Sequence, residues 1–122
     1  MPKYVDGFII PVNRSDLKAY KKMAALGKKV WMEHGALEYF ECVGDDMQTK
    51  WGLPFAKLCK LKANETVFFS FIVFKSKADR NRVNKLVHAD KRMQPKPGEK
   101  PPPMPFDVKR FSMAGFKAVL AT

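Results

Sequence analysis

The sequence predicts an α+β fold of the ferredoxin-like type, in which an antiparallel four-stranded sheet carries two helices on one face. Four segments have the alternating or continuous apolar character of strands, and two have apolar residues at helical spacing. These segments follow one another in the order β-α-β-β-α-β. The length of 122 residues and the hydrophobic content of 46% fit one globular domain, which we place at residues 1–122.

The amino-terminal part predicts a strand followed by a helix. Residues 3–12, KYVDGFIIPV, are rich in the aromatic and branched side chains that favour strands, and Pro11 closes the segment. Apolar residues then recur at helical spacing from an N-cap at Ser15 to Gly35, a natural carboxyl-terminal stop. This spacing predicts an amphipathic helix of about 18 to 20 residues.

Two alternating segments follow the helix. Residues 37–43, LEYFECV, predict a second strand with Tyr39 and Glu41 on the same face. Residues 55–62, FAKLCKLK, alternate in the same way, so they predict a short extra strand at a sheet edge. Lysines on such an edge would discourage pairing with other chains.

The second half predicts a central strand, a shorter helix, a loop and a last strand. Residues 65–74, ETVFFSFIVF, are apolar on both faces, which is typical of a strand inside a sheet. A capping pattern opens a helix over residues 76–90. Residues 91–105 hold six of the nine prolines and predict a loop. Residues 110–120 predict the last strand, in which Gly115 marks a bulge or a close approach.

The predicted arrangement leaves one sheet face uncovered. Both helices of this fold lie on the other face, yet the first and third strands have apolar residues on both sides. Exposed apolar surface of that extent is typical of an interface, and a two-fold pair is the commonest assembly. We therefore expect a homodimer that packs sheet face against sheet face.

Four segments carry a resemblance to a known family. They are residues 4–8 (YVDGF), 34–39 (HGALEY), 41–46 (ECVGDD) and 104–107 (MPFD), and together they span nearly the whole chain. In these segments the sequence resembles the YbaA-like bacterial family. The resemblance implies a ferredoxin-like subunit of the dimeric α+β barrel kind, related in fold to small monooxygenases, muconolactone isomerases and haem-dependent chlorite-degrading enzymes. It implies no activity, because the family has no established one and a shared fold does not settle chemistry.

The net charge is the unusual feature of the composition. Lysine and arginine number 23 against 12 acidic residues, which gives +11 at neutral pH, and the second half of the chain carries most of the excess. That balance invites nucleic-acid binding. Lysines outnumber arginines 18 to 5, however, and arginine is the residue better suited to phosphate and base contacts. A solubilising surface and a nonspecific RNA contact therefore both stay open.

Several classes of protein are disfavoured by the sequence. The longest apolar run, residues 67–74, is too short to cross a bilayer, and Asp6 and Pro11 interrupt any signal peptide, so we expect a cytoplasmic protein without membrane contact. Cys42 and Cys59 lack CxxC spacing, and we expect packed, reduced thiols. Because nucleotide-binding, zinc-protease and hydrolase motifs are missing, we expect no cofactor and no metal.

Four residues are candidate catalytic groups. Asp6 interrupts an apolar strand, where burial without a partner would cost several kcal/mol, and Lys109 or Arg110 could supply that partner. His34 ends the first helix, in a position for acid–base work at neutral pH. Glu41, on the second strand, is a further carboxylate that could act as a proton acceptor. Arg110 could stabilise an anionic intermediate. A structural ion pair or a helix cap is the competing interpretation.

Three further residues are candidates for ligand contact. Trp31 and Tyr39 supply aromatic surface between sheet and helices, and Asp107 follows a Met-Pro-Phe segment that could close over a pocket. The first functional hypothesis is a homodimer that binds, and as an enzyme would convert, a small organic molecule in that space. The alternative is an RNA-binding accessory protein with a lysine-rich surface and exposed aromatic residues such as Trp51.

Overall fold

The computed structural model describes residues 1–101 and 103–122. The strands form one sheet in the order β2-β3-β1-β4, and every neighbouring pair is antiparallel. The predicted ferredoxin-like order of strands and long helices is therefore confirmed. The elements are β1 (Tyr4–Asn13), α1 (Leu17–His34), β2 (Glu38–Val43), α2 (Phe55–Leu58), β3 (Glu65–Phe74), α3 (Lys77–Ala89) and β4 (Ser112–Lys117), with 3-10 turns at Arg14–Asp16 and Lys91–Met93.

Alternation along the two central strands sends one set of side chains toward the helices. Asp6 on β1 lies opposite Ile72 on β3, and Phe8 lies opposite Ser70, so these four side chains share a sheet face. The long helices α1 and α3 bury their apolar stripes against that face. The core between helices and sheet is built from fully buried residues of both: Val12, Tyr20, Val30, Phe74, Val83 and Val87.

The ends of the long helices follow local capping rules with one correction. Asn13, rather than the expected Ser15, caps the turn that leads into α1, because its side-chain oxygen accepts from the Ser15 amide at 3.0 Å. Gly35 ends α1 at a φ of 120°, a value that favours glycine. At the start of α3 the Ser76 hydroxyl accepts from the Asp79 amide at 3.1 Å, as its capping pattern predicts.

The extra strand expected at residues 55–62 is wrong, because the chain forms the short helix α2 there. Pro54 precedes the helix, and its carbonyl accepts from the amides of Lys57 and Leu58 at 3.0 Å. Lys60 then takes a positive φ of 52°, which ends the turn. The run is too short for alternation to distinguish a strand from one helical turn.

The carboxyl-terminal part has a long connection and a short last strand. Residues 91–101 and 103–105 begin with a 3-10 turn and otherwise lack helix or strand, while Pro102, part of the predicted loop, lies outside the described residues. β4 covers Ser112–Lys117 instead of residues 110–120. Gly115 stands opposite Asp6 in unbroken register, so it marks a close approach and not a bulge.

The sheet face away from the helices is open and aromatic. Phe40 stacks on Phe71 with ring centroids 4.8 Å apart, and Phe69 lies 6.0 Å from Phe71. Phe40, Phe69 and Phe116 are 46%, 45% and 58% exposed. Because rings on three strands point the same way, they form one continuous apolar surface, which we call the open face.

Two further expectations concern the thiols and the membrane. Cys42 is exposed, opposite Phe69 on the open face, so the expectation of a packed thiol is wrong for it in the single chain, while Cys59 is half-buried. Within residues 1–101 and 103–122, no helix combines the length and the apolar character that a membrane crossing requires.

Candidate functional site

A cavity of about 490 Å³ lies between the helices and the sheet. That volume is within the range of pockets that hold small organic molecules. Its walls are mainly apolar, and its polar groups sit along the sheet and the inner faces of α1 and α3. The apolar wall includes Phe8, Ile10, Met23, Trp31, Phe106 and Phe111, and the polar set is Asp6, Tyr20, Tyr39, Glu41, Ser70, Asn84 and His88.

Glu41 is the centre of a hydrogen-bonded cluster in this cavity. The Tyr20 hydroxyl donates to Glu41 Oε1 at 2.7 Å, and the Tyr39 hydroxyl donates to Oε2 at 2.8 Å. The Ser70 hydroxyl also donates to Oε1. The pairing of β2 with β3 places Glu41 opposite Ser70. Tyr20 reaches the same carboxylate from α1. We call these four residues the Glu41 cluster. Hydrogen bonds to a carboxylate are among the stronger ones in proteins.

The two tyrosines of the Glu41 cluster resist ionisation. Burial raises the pKa of both phenols well above the ordinary value near 10, and the Glu41 carboxylate raises it further. Both hydroxyls therefore stay protonated and act as donors to Glu41 at neutral pH.

Gly27 of α1 makes room for this arrangement. A Cβ at that position would lie 3.0 Å from the Tyr39 hydroxyl and 3.6 Å from the Trp31 ring. The absence of a side chain lets β2 approach the helix, so the hydroxyl reaches Glu41.

Asp6 belongs to a second chain of polar contacts. Its side chain is 1% exposed. Asn84 of α3 donates to Asp6 Oδ2 at 3.2 Å, and the Trp31 indole nitrogen donates to the Asn84 side-chain oxygen at 2.9 Å. Arg80 supplies the countercharge, with Nε 3.4 Å from Oδ1, and its guanidinium lies over the Tyr4 ring at 4.8 Å. The expected partners of Asp6 were Lys109 or Arg110, so that expectation is wrong.

Asp6 Oδ1 lies against Arg80 without forming a hydrogen bond to it. Oδ1 is buried and has no hydrogen-bond partner among the residues that the structure describes. The Arg80 contact at 3.4 Å balances charge without the geometry of a hydrogen bond. Arg80 Nε is equally buried and also lacks a hydrogen-bond partner in the described part of the chain, so the two atoms face each other as a buried ion pair.

His34 and Arg110 lie outside the cavity lining. His34 Nε2 contacts Asp90 Oδ2 at 2.8 Å and ties the end of α1 to the end of α3. Arg92, with help from His34, holds the pKa of Asp90 well below its usual range. Arg110 contacts Glu65 Oε2 at 2.5 Å and donates to the carbonyl oxygens of Cys59 and Lys60. Both predicted catalytic residues therefore connect elements of the fold.

The neighbours of Asp107 line the cavity, but the Asp107 carboxylate does not. Phe106 and Val108 line the space, and Met104 does so as well, whereas Asp107 is exposed. The Asp107 side chain accepts from the Lys109 amide at 3.0 Å and shapes a local turn. Of the candidate residues, the structure brings Asp6, Trp31, Tyr39 and Glu41 together and leaves His34, Asp107 and Arg110 apart.

Several residues of the site were not among the predicted candidates. Ser70 was visible as a hydroxyl inside an apolar strand, on the same face as Asp6, and that signal could have identified it. Tyr20 and Asn84 carried no such signal, because each reads as an ordinary position of an amphipathic helix. His88 lines the cavity from α3. In the described part of the chain, His, Cys, Asp and Glu form no group of three or more that could hold a metal.

Comparisons with known proteins agree with the fold. The sequence profile of a family described as protein of unknown function (DUF1428) matches residues 3–108. Uncharacterized protein YbaA from Escherichia coli strain K12 is 37% identical over 118 residues, which cover 97% of both chains, and YbaA from Shigella flexneri gives the same figures. A crystal structure of a dimeric ferredoxin-like protein from an uncultured marine organism aligns over 100% of both chains, with a TM-score of 0.53 and 13% identity. At that identity the likeness concerns the fold alone.

Proposed function

The chain belongs to the DUF1428 family of unknown function, and we propose that it is a homodimer whose subunits each bind a small organic molecule in the cavity between sheet and helices. The observation that carries the proposal is the cavity of about 490 Å³, whose mainly apolar lining includes the carboxylates of Asp6 and Glu41. Protein interiors are close-packed, and the fold itself does not require a space of this size. An apolar body with a few fixed polar contacts is what such a cavity accommodates.

Of the four candidate catalytic residues, only the two carboxylates lie where they could act on a molecule in the cavity. His34 and Arg110 are tied up in ion pairs away from the cavity, while Asp6 and Glu41 line it. Glu41 already accepts three hydroxyl donors. Asp6 is held in an ion pair with Arg80, so a proton transfer to either carboxylate would require it to exchange a present partner for the bound molecule.

Ligand binding is tested with a cavity-filling variant. Saturation-transfer NMR with toluene, a neutral single-ring probe, should show saturable binding to the wild type. Ala24 is buried and lines the cavity, so Ala24→Leu should weaken the binding of toluene by filling part of the space. Ala25 is exposed on the same helix, and Ala25→Leu is the matched control that should bind as the wild type does. Absence of saturable binding, or equal binding by Ala24→Leu, would remove the basis of the proposal.

The homodimer is supported by the open face. Phe69 lies near the middle of this face, and burying its exposed half, about 100 Å², is worth about 2.5 kcal/mol. The solved ferredoxin-like neighbour is described as dimeric. Because a two-fold interface contains each residue twice, Phe69→Glu should cost about 5 kcal/mol, more than a thousandfold in Kd.

Sedimentation velocity at micromolar concentration measures that change. The wild type should sediment as a dimer and Phe69→Glu as a monomer. Leu86, on the helical side, has a similar exposure of 41%, and Leu86→Glu should leave the dimer intact. A wild type that stays monomeric as its concentration rises would contradict the proposal.

The RNA-binding alternative rests on two observations, the net charge of +11 and the 88% exposure of Trp51. Phosphate contacts by lysines predict an affinity that falls steeply with salt and ignores base sequence. Filter binding of short RNAs at low and physiological salt tests it. An affinity insensitive to salt, or one that selects a sequence, would reject this alternative. The cytoplasmic location also stays a prediction.

A further inference from the structure

We infer that the molecule held in the cavity is an uncharged hydrophobic compound, recognised by apolar contact and without a hydrogen bond from its buried part. The inference rests on the proposed function and specifies its ligand class. It starts from the polar groups of the cavity wall, which are bonded to one another in the structure. A polar group of a ligand would have to displace one of them to gain a protein partner.

The Glu41 cluster is satisfied without a ligand. The hydroxyls of Tyr20, Tyr39 and Ser70 all donate to the Glu41 carboxylate. A hydroxyl has one proton to donate, so these three groups cannot donate to a ligand while they keep their present partner. The carboxylate in turn already accepts three hydrogen bonds of the charge-assisted kind, which are stronger than neutral ones. The cluster therefore favours its own contacts over those with a bound molecule.

The polar contacts around Asp6 are satisfied in a similar way. The Trp31 indole nitrogen donates to the Asn84 side-chain oxygen, and the Asn84 amide nitrogen donates to Asp6. Asp6 is 1% exposed and also pairs with Arg80. One further amide proton of Asn84 and the ring of His88 remain, but His88 is exposed, so water can bond to its ring. A single amide N–H returns little net free energy to a ligand group that must leave water to reach it.

A charged ligand would lose its hydration without finding a free countercharge. In the part of the chain that the structure describes, no lysine or arginine lines the cavity, so an anion would meet the carboxylates of Asp6 and Glu41. A cation would meet the same carboxylates with their present partners in place. Burial of a charge is costly unless the charge is paired and hydrogen-bonded. The cavity therefore favours molecules without charge.

The apolar wall provides the contacts that a hydrophobic molecule needs. Trp31 and Tyr39 lie with ring centroids 6.3 Å apart, and Phe8 and Phe111 are 5.8 Å apart. Four of the seven methionines of the chain also line the cavity: Met23, Met93, Met104 and Met113. Their unbranched, polarizable side chains adapt to apolar surfaces of different shape. The wall thus suits hydrocarbon-like molecules, which it selects by apolar surface and size.

The experiment compares four ligands that share one benzene ring: ethylbenzene, benzyl alcohol, 2-phenylethylamine and phenylacetate. Isothermal titration calorimetry and saturation-transfer NMR measure their binding to the wild type at neutral pH. The alcohol, in which a hydroxyl replaces the methyl group of ethylbenzene, and both charged ligands should bind at least about tenfold more weakly than ethylbenzene. A polar or charged ligand that binds as tightly as ethylbenzene would overturn the inference and leave the proposed function intact. Failure of all four ligands to bind would remove both.

A variant that frees one acceptor should change this preference. Tyr39→Phe keeps the ring and removes the hydroxyl that donates to Glu41 Oε2 at 2.8 Å. Benzyl alcohol could then donate to that oxygen, so its affinity relative to ethylbenzene should rise by about tenfold. Ser70→Ala removes a donor to Oε1, and it should act in the same direction if Tyr39→Phe does not fold.

Tyr4→Phe is the matched control for these variants. The Tyr4 hydroxyl contacts Arg80, and Tyr4 is not part of the cavity lining, so the relative affinities should stay as in the wild type. An unchanged preference for ethylbenzene in folded Tyr39→Phe and Ser70→Ala would show that the satisfied Glu41 cluster does not set the preference, and it would contradict the inference.

Discussion

Removing the Tyr20 hydroxyl should destabilise the protein by about 2 kcal/mol, because a hydrogen bond to a charged group contributes about 1.5 to 3 kcal/mol. Tyr20→Phe keeps the ring, which is 1% exposed and packs on Phe68 with centroids 4.3 Å apart. The change therefore removes the 2.7 Å bond to Glu41 without opening a large cavity. For a chain of this length the loss corresponds to a Tm lower by about 8 °C.

Tyr4→Phe is the matched control for this prediction. The Tyr4 hydroxyl accepts from Arg80 Nη2 at a longer distance of 3.2 Å, and Tyr4 is only half-buried. Water can replace that contact, so the variant should lose less than about 1 kcal/mol. Urea unfolding at fixed protein concentration measures both free energies. A loss in Tyr20→Phe no greater than that in Tyr4→Phe would refute the reasoning.

A double-mutant cycle extends the same test to the whole cluster. Tyr20 and Tyr39 donate to opposite oxygens of one carboxylate, so their contributions depend on each other. The combined Tyr20→Phe and Tyr39→Phe variant should therefore deviate from additivity by about 0.5 kcal/mol or more. Strict additivity would show that Glu41 does not couple the two hydroxyls.

Three further predictions concern pH and packing. Folding raises the pKa values of Tyr20 and Tyr39, so the stability that these residues contribute is complete below about pH 10 and falls above it, where the unfolded phenols ionise. Absorbance at 295 nm should show that both phenols ionise only when the protein unfolds at alkaline pH. Ionisation of these phenols in the folded protein near pH 10 would contradict the prediction. The hydrogen bond from Arg110 lowers the pKa of Glu65, so the stability contributed by the Glu65 carboxylate is present above about pH 4.5 and is lost as the pH falls through the pKa of Glu65 in the folded protein. Glu65→Gln should therefore make the stability of the protein depend less on pH in the acid range. An unchanged pH dependence would contradict this prediction. Gly115→Ala would place a methyl group 2.8 Å from Arg80 Nη2 and 2.5 Å from the Tyr4 hydroxyl, so the Tm of this variant should fall. An unaltered Tm would show that these neighbours move aside at little cost.

The strands were predictable from two patterns: alternation where one face is buried, and a continuous run of branched and aromatic residues where both faces are buried. Residues 65–74 show the second pattern, and they form β3 in the structure. Residues 55–62 show the limit of the same rule. Phe55, Leu58 and Cys59 fit one helical turn as well as their alternation fits a strand, and the proline before them favours a helix start.

The site was predictable where a polar residue interrupts an apolar pattern. Asp6 and Glu41 stand out as carboxylates within predicted strands, and both line the cavity in the structure. Their partners were not predictable, since Arg80 and Asn84 lie more than seventy residues from Asp6 along the chain. His34 had two interpretations for a related reason: a histidine at a helix end suits an ion pair as well as a proton transfer, and in the structure it contacts Asp90.

Gly27 shows where local preference and the needs of the cavity conflict. Helix propensity alone favours alanine over glycine in the middle of a helix by about 1 kcal/mol. The added methyl would meet the Tyr39 hydroxyl at 3.0 Å and press it away from Glu41. α1 is thus locally frustrated at this position, because glycine suits the contact of Tyr39 with Glu41 and alanine would suit the helix. Gly27→Ala would be an obvious choice for engineering that selects only for heat resistance, because it removes a flexible residue from the helix. The same change would alter the geometry of the cavity at Tyr39.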